Sequence, residues 1–336
     1  MNKLIGATLV LALGLSAGVA NAADDVTLQL KWVTQAQFAG YYVAQDKGYY
    51  KDADLDVTIK PGGPDIAPEQ VIAGGGADVI VDWMAAALAA RERGVPLVNI
   101  AQPFKHSGLL LVCRKDSGIT KPADFKDHTL GVWYYGNEYP FFAWMAKLGI
   151  PTDGGDNGVK VLKQGFNVDP LVQKQAACIS AMTYNEYGQI LDAGFKPDDL
   201  TVFNYRDQGV GMLEDGLYVM GPKLDDPKFV DKMARFVKAS MKGWKYAEEH
   251  PDEAAQIVVD NDSSGAQTLD HQEYMMKEVD KLLKGSNGVL DPENYKETVN
   301  TLLSADKGSD NPAITKKPEG AWTHKVTDKV DDKPQL

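Results

Sequence analysis

The stretch VTLQLKWVTQAQFAGYYVAQDKGYYKDADLDVTIK, residues 26–60, decides the fold. Val26, Leu28, Leu30 and Trp32 alternate with other side chains, the period of a strand with one apolar face. Gln37 to Lys47 then read as a helix, and Gly48 stops it, because glycine takes the left-handed conformation of a helix C-terminus without steric cost. Leu55, Val57 and Ile59 alternate again. Strand, helix and strand in so short a span make a βαβ unit with parallel strands.

Outward from this unit the rhythm repeats. A Pro-Gly-Gly-Pro turn at 61 to 64, a helix stopped by Gly74, Gly75 and Gly76, a strand from Ala77 to Trp83, an alanine-rich helix from Met84 to Arg93 and a strand from Leu97 to Gln102 complete one α/β lobe. A second series runs through strands from Leu109 to Arg114, Thr129 to Tyr134, Val159 to Lys163 and Cys178 to Thr183, with helices from Asn137 to Leu148, from Asp169-Pro170 onward and up to Leu191. A strand from Leu217 to Met220 leads into four helices, Pro227 to His250, Pro251 to Asp260, Leu269 to Leu283 and Pro292 to Leu302. Helices need a sheet to cover, so these are assigned to the first lobe. The expected architecture is α/β with two lobes, each a central, mainly parallel sheet flanked by helices, and two hinge crossings near 104–108 and 209–216. Lobe I takes residues 23–106 and 215–325, lobe II takes 107–214, and the lysine- and aspartate-rich end, 326–336, reads as a flexible tail.

Residues 1–22 read as an export signal: Lys3 supplies the positive start, Leu4 to Val19 is apolar, and Ala20-Asn21-Ala22 is a cleavage site. The apolar run is shorter than the roughly 20 residues of a membrane span, and no later segment is apolar enough to insert. The expected location is the periplasm. Cys113 and Cys178 are far from the signal, so a lipid anchor is not expected, and the two either pair or remain thiols.

The chain has 336 residues, 44% hydrophobic and 24% charged, enough for two domains. Thirty-five Lys and Arg against 47 Asp and Glu give a net charge of -12, which repels nucleic acid. His106, His128, His250, His271 and His324 lack metal-ligand spacing and are assigned to the surface; nucleophile-elbow and phosphate-loop motifs are absent. No catalytic residue, metal or cofactor is therefore expected.

In open α/β sheets ligands bind beyond the carboxyl ends of the strands. The loops there supply the candidate ligand-binding residues: Trp32, Phe38, Asp82 and Trp83 in the first lobe, Tyr134, Asn137, Glu138, Tyr184, Asn185 and Glu186 in the second, and Glu214 at the hinge. Aromatic side chains suit stacking on a flat ring, and carboxylates accept protons from amino groups. No arginine falls in these loops, so a ligand with amino groups fits better than a carboxylate, sulfonate or phosphate.

Lys31-Trp32, Phe38-Ala39-Gly40-Tyr41-Tyr42-Val43-Ala44, Lys47-Gly48-Tyr49-Tyr50-Lys51, Pro61-Gly62-Gly63-Pro64-Asp65, Gly75-Gly76-Ala77-Asp78 and Lys115-Asp116-Ser117-Gly118-Ile119 resemble the periplasmic solute-binding proteins of ABC importers. The nearest likeness is to those for pyrimidine precursors of thiamine, which share a fold with fungal hydroxymethylpyrimidine phosphate synthases and with alkanesulfonate- and nitrate-binding proteins. The resemblance implies the type II periplasmic-binding-protein fold, a monomer that closes like a flytrap on a small-molecule ligand, and a permease with its ATPase as partner. It leaves open a riboflavin-like ring, an alkanesulfonate or an amine as solute and, more remotely, a secreted enzyme. The fungal synthases carry a cofactor-binding lysine and a reactive histidine just after the third strand. Here Asp82 and Ala86 stand at the matching places, and a carboxylate cannot form the Schiff base of an amine.

Overall fold

The computed structural model describes residues 22–305 and 312–336; the expected export signal, apart from Ala22, lies outside the described residues. Ten strands are found among them: β1 (Asp24–Gln29), β2 (Leu55–Lys60), β3 (Val79–Asp82), β4 (Leu97–Ala101), β5 (Leu109–Arg114), β6 (Thr129–Val132), β7 (Lys160–Lys163), β8 (Cys178–Met182), β9 (Leu200–Asn204) and β10 (Gly216–Met220). They form two five-stranded sheets, ordered β2-β1-β3-β10-β4 and β7-β6-β8-β5-β9.

Both sheets are mixed. In the first, β10 runs antiparallel to β3 and β4 while β1 is parallel to β2 and β3. In the second, β5 is antiparallel to β8 and β9, and β6 is parallel to β7 and β8. Each reversed strand is the first one laid down after the chain crosses between sheets. It slots between two strands of the receiving sheet and so ties each crossing into the middle of a lobe. The expected strand from Leu109 to Arg114 has the predicted bounds, whereas β9 carries no clean alternation in Leu-Thr-Val-Phe-Asn and was not anticipated.

On lobe I the helices Ala39–Asp46 and Pro227–Glu249 touch backbone to backbone at two glycines. A Cβ on Gly243 would lie 2.0 Å from the Gly40 carbonyl oxygen, and one on Gly40 would lie 2.2 Å from the Trp244 ring. Side chains larger than hydrogen would force these helices apart and unseat Trp244, which is fully buried. In lobe II, Cys113 and Cys178 face one another across β5 and β8 and form a disulfide.

Residues 326–336 are not the flexible tail that their composition suggested. Val326, Val330 and Leu336 are buried while lysines and aspartates between them face water, and Lys325 Nζ donates to the Leu224 carbonyl at 2.6 Å. A high charge count conceals an apolar face when the apolar residues recur on one side of a turn. Just upstream, Trp322 bridges Asn99 in parallel and adds a short edge beside β4.

The hinge is polar and buried. Gln102 Nε2 donates to the carbonyls of Phe104 and Glu214, and the Glu214 carboxylate accepts from Ser107 Oγ at 2.6 Å and from Gly108 N at 3.0 Å. The two crossing segments are therefore held to each other through Glu214, by its carboxyl group and by its carbonyl. Burial pushes its pKa up to about 8.

Candidate functional site

A slot opens where the carboxyl ends of β1, β3, β6 and β8 face each other across the two sheets. Lys31 and Trp32 follow β1, Gln35 and Gln37 come from the loop and 3-10 turn beyond it, and Trp83 follows β3. Trp133 and Asn137 come from the loop after β6, and Met182, Tyr184 and Glu186 from the end of β8. Free space between them is about 20 Å³, room for a water or so rather than a ring.

Aromatic faces and one ion pair build the lobe I wall. Trp32 meets Trp133 of lobe II edge to face, with ring centroids 5.9 Å apart. Lys31 Nζ donates to Asp82 Oδ1 at 2.7 Å and lies 5.6 Å from the Trp83 ring centre, with both charged residues almost fully buried. Burial alone would lower the Lys31 pKa, but Asp82, Glu69 and Asp215 outweigh it and raise the value, holding the ammonium form. Asp82 Oδ1 also accepts from Trp83 N, and Oδ2 has no hydrogen-bond partner among the described residues.

A hydrogen-bonded chain crosses from one lobe to the other beside these rings. Trp83 Nε1 and Gln37 Nε2 donate to the two oxygens of Asp215, at 3.1 and 2.7 Å. Gln35 Nε2 donates to Gln37 Oε1, Asn185 Nδ2 donates to Gln35 Oε1, and the same Asn185 nitrogen donates to Glu186 Oε1 at 2.8 Å. Met182 N supplies Glu186 Oε2 with a donor at 2.9 Å. Burial lifts the pKa of Glu186 to about 7 and that of Asp215 to about 6, since neither desolvation is fully offset by these donors. Each Glu186 oxygen accepts one bond here and has a second lone pair for a ligand donor.

Of the residues singled out in sequence, Trp32, Trp83, Asn137, Tyr184 and Glu186 line the slot. Asp82 stands behind Lys31, and Asn185 sits within the cross-lobe chain rather than on the wall. Tyr134 and Glu138 line a neighbouring cavity. Phe38 is fully buried in the hydrophobic core beside the site, and Glu214 belongs to the hinge. Lys31, Gln35, Gln37, Trp133 and Met182 were not among the candidates. Lys31 is missed because a buried lysine is legible only with its partner, and Asp82 lies 51 positions away. His271 was assigned to the surface but is partly buried between the lobes, with Nε2 2.9 Å from Asn185 Oδ1.

Groups of three or more His, Cys, Asp or Glu able to hold a metal are absent among the described residues. What the arrangement offers instead is a narrow gap walled by aromatic side chains set at an angle to one another, with amides and the Glu186 carboxylate among its lining groups. Its one lining cation is neutralised by Asp82, so the site as a whole is acidic.

Three likenesses fit this geometry. The chain is 26% identical over 323 residues to the formylaminopyrimidine-binding protein of Halalkalibacterium halodurans, an alignment covering 90% of this chain and 94% of that one. Over 103 residues, 29% of each chain, it is 35% identical to the 4-amino-5-hydroxymethyl-2-methylpyrimidine phosphate synthase THI11 of Saccharomyces cerevisiae. The periplasmic aliphatic sulphonate binding protein SsuA of Escherichia coli superposes with a TM-score of 0.63 at 13% identity, covering 93% of this chain and 94% of that one, which establishes the periplasmic-binding-protein fold. The model of the family described as NMT1/THI5 like matches residues 35–254, well over half the sequence and every strand from β2 to β10, and the chain belongs to that family.

Proposed function

We propose that this protein is the periplasmic solute-binding component of an ABC importer and captures a small, amino-bearing heteroaromatic of the thiamine-pyrimidine-precursor type. The observation that carries the reading is the slot itself: Trp32, Trp83, Trp133 and Tyr184 around a narrow gap between the lobes, with the buried Glu186 carboxylate among its lining groups. Rings stack on the aromatics, and the amino protons are accepted by Glu186 and the flanking amides. The gap is too narrow for a ring, so the lobes part about the 102–108 and 213–215 crossings to admit one and close over it. Closure presents a changed outer surface to a permease, which couples to an ATPase.

The full-length likeness to a formylaminopyrimidine-binding protein supports the ligand class. The disulfide between Cys113 and Cys178 supports an oxidising compartment. A binding rather than catalytic role follows from Asp82 and Ala86, which stand where the synthases' lysine and histidine would be and offer neither an amine nor an imidazole. Lys31, the amine that does reach the slot, is tied to Asp82 as an ammonium and is a poor nucleophile.

A charge-assisted hydrogen bond from an amino group to Glu186 is worth roughly 1.5–3 kcal/mol, which sets an affinity difference of about ten- to a hundredfold. The test is mass spectrometry of compounds released when the purified chain is denatured, followed by calorimetric titration of 4-aminopyrimidines. Submicromolar binding of an aminopyrimidine with no turnover is the expected result; binding of a sulfonate in preference, or chemical conversion of the bound compound, overturns it.

A further inference from the structure

The helix Leu269–Leu283 packs on lobe I, against the helices Pro227–Glu249 and Pro251–Asp260 and the 3-10 turn Ala36–Phe38, yet its first two turns also touch lobe II. Tyr274 OH donates to the Thr183 carbonyl at 2.7 Å, and a Cβ on Gly188 would lie 2.5 Å from the Tyr274 ring. His271, three residues earlier and so on the same face, stands with Nε2 2.9 Å from Asn185 Oδ1. The function proposed above draws on Glu186 and its flanking amides and gives this histidine no task.

The hydrogen bonds of Asn185 fix what His271 must do. Asn185 Nδ2 donates to Glu186 Oε1 at 2.8 Å and to Gln35 Oε1 at 3.3 Å, while Oδ1 accepts from Gln189 Nε2 at 2.9 Å. Turned the other way, the amide would set its carbonyl oxygen against the Glu186 carboxylate and lose both donations. With Oδ1 facing His271, Nε2 must carry the ring's proton and donate it. Nδ1 is then the proton-free nitrogen, 3.8 Å from the exposed Asp192 carboxylate, and burial holds the ring's pKa below its ordinary value.

The next residue completes the grip. Gln272, fully buried, accepts from Ala36 N at 2.7 Å through Oε1 and so holds the turn that presents Gln35 and Gln37. Consecutive side chains of one helix therefore secure both ends of the Gln35–Asn185 bond, the longest link in the chain that crosses the lobes.

We propose that His271 is a positioning residue for the cleft: donating from lobe I, it keeps the Asn185 amide turned toward Glu186 and Gln35, braces the closed arrangement of the lobes, and so sets how long a bound ring is retained without touching it. The effect on retention rests on the ring reading of the slot; the brace between the lobes does not.

Two measurements on the mature chain test it: dissociation of 4-aminopyrimidine, followed by tryptophan emission after rapid dilution, and small-angle scattering without ligand. His271→Phe is expected to release the ring about three- to tenfold faster than wild type, the effect of one lost hydrogen bond. His271→Gln, whose amide nitrogen can donate from the place of Nε2, stays within twofold. In an Asn185→Ala background, His271→Phe adds less than a twofold change, because the brace acts through Asn185. Without ligand, His271→Phe and Asn185→Ala are expected to share a larger radius of gyration than wild type and His271→Gln; the Asn185→Ala comparison decides the matter if His271→Phe does not fold. Equal radii in all the chains, a Gln variant as fast as the Phe variant, or the same acceleration by His271→Phe with and without Asn185 overturns the brace and leaves the ring reading intact. A wild-type chain that binds no ring overturns the ring reading, and the scattering comparison then decides the brace alone.

Discussion

Trp32 of lobe I and Trp133 of lobe II stand edge to face across the slot, 5.9 Å between centroids and 64° between planes. A ring that enters must come between or beside them, so binding changes the surroundings of both indoles. Edge-to-face pairs contribute about 0.5–1.5 kcal/mol beyond area burial. Trp133→Leu is therefore expected to weaken aminopyrimidine binding roughly tenfold and to remove most of the ligand-induced change in tryptophan emission. Unaltered affinity and an unaltered emission change in that variant would exclude Trp133 from the ring site.

Glu186 connects affinity to pH. Its pKa near 7, raised by burial, means that acidification replaces a charged acceptor with a neutral acid. Affinity is expected to be highest above pH 7 and to fall as pH drops through that value. Glu186→Gln should bind about ten- to a hundredfold more weakly at pH 8 and should flatten the profile, as read by titration calorimetry from pH 5.5 to 8.5. Wild-type binding by both Glu186→Gln and Glu138→Gln would refute the role of the acids.

Stability should run the other way. Glu214, Glu186 and Asp215 have native pKa values of about 8, 7 and 6, all above those of an unfolded chain, so the native state holds more protons between pH 4.5 and 8. Their contribution is fully present below the unfolded pKa and is lost as pH rises through the native ones. The ligand-free melting temperature is expected to fall from pH 5 to pH 8, and Glu214→Gln to shallow that fall. A melting temperature that rises steadily over this range would contradict the burial argument.

The Cys113–Cys178 bond staples β5, which carries the first crossing into lobe II, to β8, which delivers Tyr184 and Glu186. The bond joins positions 65 apart in sequence, and disulfides typically contribute about 2–4 kcal/mol. Cys113→Ala with Cys178→Ala should lower the unfolding free energy by that amount in urea titrations. Because both sulfurs are buried, reductant should act on the wild-type chain only in denaturant.

Much of this molecule was legible before its coordinates. The expected strands Ala77 to Trp83 and Cys178 to Thr183, short apolar runs in sequence, contain the observed Val79–Asp82 and Cys178–Met182, and the rule that ligands sit beyond strand carboxyl ends names Trp32, Trp83, Tyr184 and Glu186, which line the slot. What failed depends on distant partners. Lys31 counts as a surface residue until Asp82 is seen beside it, and Gln35 and Gln37 are unremarkable polar residues until Asp215 and Asn185 fix their amides in one chain. Phe38 was drawn to the site by its neighbours in sequence, yet the turn that holds it faces inward. The 326–336 segment failed because average composition hides which side of a turn is apolar.

The narrowness of the gap at Trp32 and Trp133 carries a thermodynamic consequence. Under the function proposed above, a molecule in this conformation has no room for a ring and competes with the loading reaction, so the apparent dissociation constant is the intrinsic one divided by the fraction of molecules able to accept a guest. Contacts that hold the halves together, such as Lys163 to Asp65 and Arg93 to Tyr139, thus handicap capture while they favour retention. Cutting them could yield a better scavenger and a worse courier.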